Sequence, residues 1–347
     1  MQIRLIAPAE LDSAQIALWR RFQAANPALD SPFCAPEFIL VAASQSDGAR
    51  VAVIHEGGET CAFFPFQYGG LGRPGLVDRA FRALGVACPI GRKVSECHGI
   101  IAPAGFEIDP GALLDACHIN AWDFHRLPLC DATFQAYQTS VVHWHAIDIA
   151  DGHPAFVERM RAKGSDLLSQ TARKARGLAR DFGPLRFVDD ERDPRFIDTV
   201  LAWRERQYPD ARVIDGMERC DTRDLLAALH ANRSSMFAGR LSLLYAGDEL
   251  VAGHFGLLSP TVATYGYMGI ADHAGRHSPG MILLLRLIES ACALGCGRVD
   301  LGAGDQRYKH QLSTGGIMLA SGSVAKHSLV KRYRDAKRHR AQLDHAT

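Results

Sequence analysis

Ser242-Leu243-Leu244-Tyr245, then Leu250-Val251-Ala252-Gly253-His254-Phe255-Gly256-Leu257-Leu258, then Thr261-Val262-Ala263-Thr264-Tyr265-Gly266-Tyr267-Met268-Gly269 are three apolar runs in quick succession. Their lengths and composition predict strands, and Gly247-Asp248 and Ser259-Pro260 between them favour tight reversals. A loop containing Gly275 leads into a helix predicted from Pro279 to Leu294, with Ser278 at the N-cap and proline in the first turn, where its missing N–H costs nothing. Gly295 and Gly297 stop that helix, and Arg298-Val299-Asp300-Leu301 reads as the next strand. The order is therefore strand, turn, strand, turn, strand, loop, helix, strand, an α+β arrangement.

Upstream, Leu185 to Val188 is a strand and Phe196 to Arg206 a helix, while a long helical stretch from Pro154 to Asp181 ends at Gly183-Pro184. Its later part carries Arg173, Lys174, Arg176 and Arg180 among Leu167, Leu168, Ala172 and Leu178. The first half also alternates helix and strand. Ile16, Leu18, Trp19 and Phe22 are near helical spacing, Pro36 opens a short helix, and Val51–Ile54 and Cys61–Phe66 are strands about a Glu56–Glu59 turn. A helix near Ala112 to His118 precedes a strand from Ala121 to Leu127. A chain of 347 residues is long for one domain. The expected division is a lobe at 1–160, a connecting basic helix at 161–183, a second lobe at 184–326 and a basic tail at 327–347.

Several segments resemble a known family. Tyr245-Ala246-Gly247-Asp248-Glu249-Leu250-Val251-Ala252-Gly253 is similar to the hairpin that opens the sheet of GNAT acyltransferases, and Tyr265-Gly266-Tyr267-Met268-Gly269 to the strand beside the thioester. His277-Ser278-Pro279-Gly280, Asp300-Leu301-Gly302-Ala303-Gly304 and Tyr308-Lys309 resemble the C-terminal lobe of acetyltransferases of the CelD/BcsL type. Those are associated with cellulose and other exopolysaccharides and are related to the Fem peptidyltransferases. The basic segment from Ser169 to Arg180, followed by Gly183-Pro184-Leu185-Arg186-Phe187, fits the same group. The resemblance runs from about Gln170 to about Leu312, and more loosely into the first half. It implies two tandem GNAT-like lobes, each a mixed, mostly antiparallel sheet flanked by helices, with the donor site in the second. The implied activity is transfer of an acyl group, acetyl above all, from acyl-CoA to an amino group of a sugar or glycan precursor. The enzyme alternative is Fem-like transfer from aminoacyl-tRNA, and the non-enzyme alternative is a nucleotide-binding regulator of exopolysaccharide production. One departure stands out: GNAT enzymes often carry Gln/Arg-x-x-Gly-x-Gly/Ala at the pyrophosphate loop, and this chain has His277-x-x-Gly280-x-Ile282.

The chemistry points the same way. Free amides and the positive end of the dipole at the Ser278-Pro279-Gly280-Met281 helix start suit a pyrophosphate, with His277 adding charge; a simple well-capped core helix is the other reading. Tyr267 and Met268 are expected to contact the cofactor as well. Direct acyl transfer needs a base, a hydrogen-bond donor for the carbonyl and good alignment. His254 is the candidate base, though a strand histidine also suits a core; Tyr265 or Tyr267 is the candidate donor, and Asp300 positions the acceptor. Arg173, Lys174, Tyr308 and Lys309 form a prospective rim for a phosphorylated or nucleotide-linked acceptor, with solvated lysines and arginines the alternative. In the first half, Glu96 and His98 either bind acceptor or belong to a polar loop. His143-x-His145 lacks a third ligand at metal spacing, so no metal is expected.

Composition bounds the partners. A net charge of +1 gives no global attraction to nucleic acid, so none is expected as partner. The basic tail, with Lys331, Arg332 and Arg334, allows peripheral contact with an anionic membrane where lipid-linked glycans sit. Nine scattered cysteines without a Cys-x-x-Cys pair fit reduced thiols. With no signal-peptide pattern and no apolar run of membrane length, the expected location is the cytoplasm, at most peripheral at the inner membrane face.

Overall fold

The computed structural model describes residues 1–72, 75–129, 131–207 and 219–326; the basic tail at 327–347 lies outside them. The chain forms two compact units. Unit 1 takes Met1–Leu29, Ser46–Val141 and the described residues from Leu319, and unit 2 takes Asp30–Gln45 and Val142–Met318. The boundaries expected at 160 and 183 both fall inside unit 2.

In unit 1 the strands are β1 (Gln2–Ile6), β2 (Ala49–Glu56), β3 (Glu59–Tyr68), β4 (Val86–Cys88), β5 (Ala121–Pro128) and the later part of β13 (Gly315–Ala325). They lie in the order β1-β2-β3-β4-β5-β13. Every neighbouring pair is antiparallel except β4 with β5. Helices α1 (Ser13–Ala24), α3 (Leu76–Ala83) and α4 (Pro110–Ala116) accompany them, with α2 (Pro36–Ser44) belonging to unit 2. Helix α1 starts where the Asp12 side chain accepts a hydrogen bond from the Gln15 amide and the Gln15 side chain accepts one from the Asp12 amide, satisfying two otherwise orphaned donors. The core is aromatic: Phe64, Phe66, Trp122, Phe124 and Phe134 are all buried, with the Trp122 and Phe134 rings 4.5 Å apart.

Unit 2 contains the later part of β6 (Gln138–Asp148), then β7 (Leu185–Val188), β8 (Ala238–Ala246), β9 (Glu249–Leu258), β10 (Val262–Thr264), β11 (Tyr267–Ile270) and β12 (Arg298–Ala303). Their order is β6-β12-β10-β9-β8-β7, and β11 pairs with β9 off this path. Here too a single pair, β10 with β12, is parallel. Counted from β1 and from β7, the two units share one sequence of strand senses: three antiparallel steps, one parallel, one antiparallel. This internal repeat leaves no trace that the eye can follow in the residues. The sixth strand explains why linear boundaries do not describe the units. β6 follows β5 along the chain yet pairs with β12, while β13 follows β12 yet pairs with β5.

The helices of unit 2 are α2, α5 (Gly152–Ala162), α6 (Leu167–Phe182), α7 (Arg195–Gln207), α8 (Arg219–Ala231), α9 (Pro279–Ala293) and α10 (Arg307–Leu312). Apolar residues of α5, α9, β6 and β12, among them Phe156, Met160, Leu284, Ile288, Ile147 and Leu301, make its main core. Among the described residues no helix is long and apolar enough to cross a membrane.

Candidate active site

The run from Thr261 to Gly269 is not one strand. β10 runs parallel to β12 as far as Thr264 beside Asp300, and the Tyr265 amide still donates to the Asp300 carbonyl (2.7 Å). At Gly266 the backbone leaves β12: its amide donates to His254 Nε2 (3.1 Å), and β11 continues paired to β9 alone. Glycine is required at the turn-off, because a Cβ on Gly266 would stand 2.9 Å from the Phe255 carbonyl. The Ala271 amide bonds the Val251 carbonyl (3.0 Å), which sets the phase of the antiparallel ladder. Alternation then turns the Met268 N–H and C=O away from β9, toward the side that β12 has vacated. A strand edge without a partner strand among the described residues opens beside the end of a parallel strand; on it the Ile270 carbonyl accepts from Gln207 Nε2 at 3.1 Å.

A cavity of about 380 Å³ lies here, lined by β11, α6, the start of α9 and one face of α10. α9 contributes Gly280 and Met281, with Ser278 before them. Ser278 sits in the left-handed region (φ 49°), and its hydroxyl caps no amide; instead Lys174 Nζ donates to it at 2.6 Å. The expected serine cap is thus replaced by an ammonium at the positive end of a 15-residue helix, a combination that favours an anion. Lys174 belongs there because Leu167, Thr171, Lys174 and Leu178 fall on one stripe of α6, and Leu167, Thr171 and Leu178 are buried. Gly280 permits close packing: a Cβ on it would lie 2.8 Å from the Met268 methyl carbon and 3.0 Å from its sulfur. Tyr265 and Tyr308, with ring centres 6.4 Å apart, complete the wall together with Gln170, Arg307 and Gln311.

Of the residues expected from the sequence, the cavity gathers Lys174, Tyr265, Met268, Ser278, Gly280, Met281 and Tyr308. The others stand elsewhere, each for a physical reason. Because the strand breaks at Gly266, Tyr265 and Tyr267 do not share a face; Tyr267 has the Arg204 guanidinium 5.3 Å from its ring centre, on the α7 side. His277 is buried against α6, its Nε2 3.1 Å from Asp181, which also binds Arg276. His254 is buried, its ring stacked on Tyr265 at 5.0 Å, and burial holds its pKa down to about 3. With the Nε2 lone pair taken by Gly266, this imidazole is placed to support Tyr265. Asp300 is buried and paired with Arg298 (2.7 Å), its pKa raised by burial, and lies outside the lining. Lys309 is buried with its ammonium on the Ala303 carbonyl, where it holds the Gly302–Gly304 loop. Arg173 points to solvent. Glu96 and His98 belong to unit 1. His98 is buried against His125, with ring centres 5.0 Å apart, and burial holds its pKa well below the ordinary histidine range. His143 and His145 are 4.4 Å apart and His310 lies 4.7 Å from His145. Even so, no group of three or more metal-type ligands is suitably arranged among the described residues.

Thr171, Gln170, Arg307 and Gln311 were not anticipated. Their signal is helical spacing: Gln170, Thr171 and Lys174 are one turn of α6, and Arg307, Tyr308 and Gln311 one face of α10.

Residues 167–310 match the model of the acetyltransferase (GNAT) domain. No curated protein sequence matches the chain. Among solved structures it is similar to FemX, with 11% identity, a TM-score of 0.58 and coverage of 93% of this chain and 96% of that one. It is also similar to a tandem GNAT protein from the clavulanic acid biosynthesis pathway, with 10% identity, a TM-score of 0.50 and coverage of 93% and 98%. A conserved protein of unknown function from Bacteroides thetaiotaomicron has 11% identity, a TM-score of 0.51 and coverage of 90% and 97%. At such identities the likeness concerns the fold. The chain carries a GNAT-type N-acyltransferase domain, and its fold is the α+β arrangement of tandem GNAT proteins.

Proposed function

We propose that this N-acyltransferase takes an acetyl group from acetyl-CoA and places it on an amino group of a sugar or glycan precursor, in exopolysaccharide or cell-envelope synthesis of the CelD/BcsL type. The donor assignment rests on one observation: the cavity joins an unpaired strand edge, a lysine-bearing helix N-terminus and two tyrosines. These fit an acyl-CoA. The Gly280 amide and the Lys174 ammonium suit its phosphates, and the turned-out Met268 peptide groups suit its amide-bearing arm. When bound, the thioester supplies an activated acyl group, so no covalent enzyme intermediate is needed. The acceptor nitrogen must lose a proton as the departing thiolate gains one; Tyr308 or Tyr265 is the hydroxyl placed in the wall to give the second, and the tyrosinate so formed takes the first. The acceptor class comes from the resemblance of the C-terminal segments, and Arg307, Gln170 and Gln311 offer it polar contacts.

The test is direct. The purified protein is incubated with acetyl-CoA and a panel of free and nucleotide-linked amino sugars, while thiol release and acetylated product are followed together. Acetyl-CoA binding with product on an amino sugar is expected. Binding of charged tRNA or a cyclic dinucleotide with no response to acetyl-CoA overturns the donor; turnover on other amines alone overturns the acceptor.

A further inference from the structure

Unit 1 holds a cavity of its own, about 120 Å³, that the acyltransferase reading leaves unused. Its floor is apolar, formed by Leu29, Ile100 and Ala102, all buried, and its rim is the exposed loop Pro103–Gly105. Three polar side chains line it. Asn26 is already engaged, donating to the Ala102 carbonyl and accepting from the Ala28 amide, both at 3.2 Å. Asp131 accepts from the Phe134 amide at 3.3 Å with Oδ1. Its Oδ2 lies next to Gly99, where a Cβ would come within 3.4 Å. No basic side chain pairs with this carboxyl among the described residues, and burial pushes its pKa up to about 6. Thr133 is 7% exposed, and its hydroxyl makes no hydrogen bond.

A carboxylate held by backbone amides alone, those of Phe134, Thr133 and Ile100, and an unsatisfied buried hydroxyl in an apolar hollow are the pattern of a small-molecule site, where a few placed polar groups set orientation. We propose that this cavity binds the ammonium end of a small primary amine. An ammonium carries three N–H donors and no acceptor, so it supplies both the missing counter-charge for Asp131 and a donor for the Thr133 oxygen. Its alkyl part then lies against Leu29, Ile100 and Ala102. A cavity of ~150 Å³ holds benzene, so this one takes an amine of about four heavy atoms, or the end of a longer one that leaves past the rim.

The experiment reads binding alone, with no acyl-CoA present, so its outcome is independent of the acyltransferase reaction. The full chain, isotope-labelled and deuterated, is titrated with n-propylamine and separately with n-propanol. The amides of residues 99–105 and 131–134 are then followed by NMR. Saturable shifts with propylamine and weaker ones with propanol are expected. Asp131→Asn keeps a capping side chain, so it is expected to fold, yet to lose about tenfold or more of propylamine affinity, the scale of a hydrogen bond to a charged group. Thr133→Val, close in shape, is expected to lose about threefold to tenfold. Equal binding of propanol, no saturable shift with propylamine, or full affinity in a folded Asp131→Asn variant overturns the proposal.

Discussion

Replacing Lys174 with methionine isolates the charge at the α9 start. Methionine keeps the unbranched stem and a comparable helix propensity, so the α6 stripe of Leu167, Thr171 and Leu178 stays packed. What disappears is one half-buried hydrogen bond, from Nζ to the Ser278 hydroxyl at 2.6 Å. A neutral-partner bond of this kind contributes about 0.5–1.5 kcal/mol to stability. In a chain of this size that lowers the melting temperature by a few degrees. Donor binding should suffer more. If the ammonium contacts a phosphate, the lost charge-assisted bond contributes about 1.5–3 kcal/mol, and the dissociation constant for acetyl-CoA rises about 10- to 150-fold. Isothermal titration at low and high salt measures both parts. Wild-type affinity should fall with ionic strength, and the variant's should fall less, because one screened contact is already gone. A Lys174→Met protein that melts near wild type and binds acetyl-CoA within about twofold, a difference of only ~0.4 kcal/mol, removes this lysine and the α9 start from the donor site.

Gly280→Val places carbon where the Met268 methyl and the Ile270 methyl already lie, 2.8 and 3.3 Å from the new Cβ. It should cost about 1–3 kcal/mol in stability and push Met268 into the cavity, so that acetyl-CoA binding is lost while circular dichroism still reports a folded chain; normal binding refutes the placement. Tyr308→Phe should lower kcat by about a hundredfold or more and leave the donor dissociation constant unchanged. Stopped-flow acetyl transfer decides it, and an unchanged kcat excludes Tyr308 as proton donor. Burial holds His254 and His125 at about 3, below the ~6.5 of an unfolded imidazole. The unfolded chain therefore binds more protons between these values, and the stability tied to neutral imidazole, full above about 6.5, is lost as pH falls toward 3. Urea unfolding at stepped pH should show this slope, and His254→Asn should flatten it; an unflattened slope means that His254 does not carry it.

The fold of unit 2 was largely legible because its strands and turns are local. Glycine-centred turns and apolar runs predict each element from neighbours within a few residues. What the pattern cannot express is pairing at a distance. β6 and β13 look like ordinary late strands, and nothing in their composition says that each closes the unit lying on the other side of its own neighbours in the chain. The lining of the cavity was legible where a backbone requirement writes itself into sequence, as at Gly280, or where the residue lies on a helix start, as at Ser278. It was misread where one side chain's fate depends on a partner far along the chain. His254 looked like a base, yet the Gly266 amide and the Tyr265 ring fix it as a support. Lys309 looked solvent-facing or substrate-binding, yet the Ala303 carbonyl holds it inward. Lys174 reads as one of a basic run, although its stripe with Leu167, Thr171 and Leu178 already distinguishes it from exposed Arg173.

The repeat also bears on why the donor site proposed above lies in unit 2 and not in unit 1. Each unit places a helix between the two strands of its single parallel pair: α4 between β4 and β5, and α9 between β10 and β12. In principle each helix start offers free amides to an anion. In unit 1, however, Asp109 caps α4, its carboxylate accepting from the Ala112 amide at 2.7 Å, and the helix has only seven residues. A carboxylate there occupies the donor and adds a negative charge that repels phosphate. In unit 2 the equivalent position is Ser278, whose hydroxyl caps no amide and instead accepts from the Lys174 ammonium at 2.6 Å. The same topology therefore carries opposite electrostatics at corresponding ends. Strand order alone makes the units alike; the identity of one capping residue and one lysine makes unit 2 the one suited to an anionic donor.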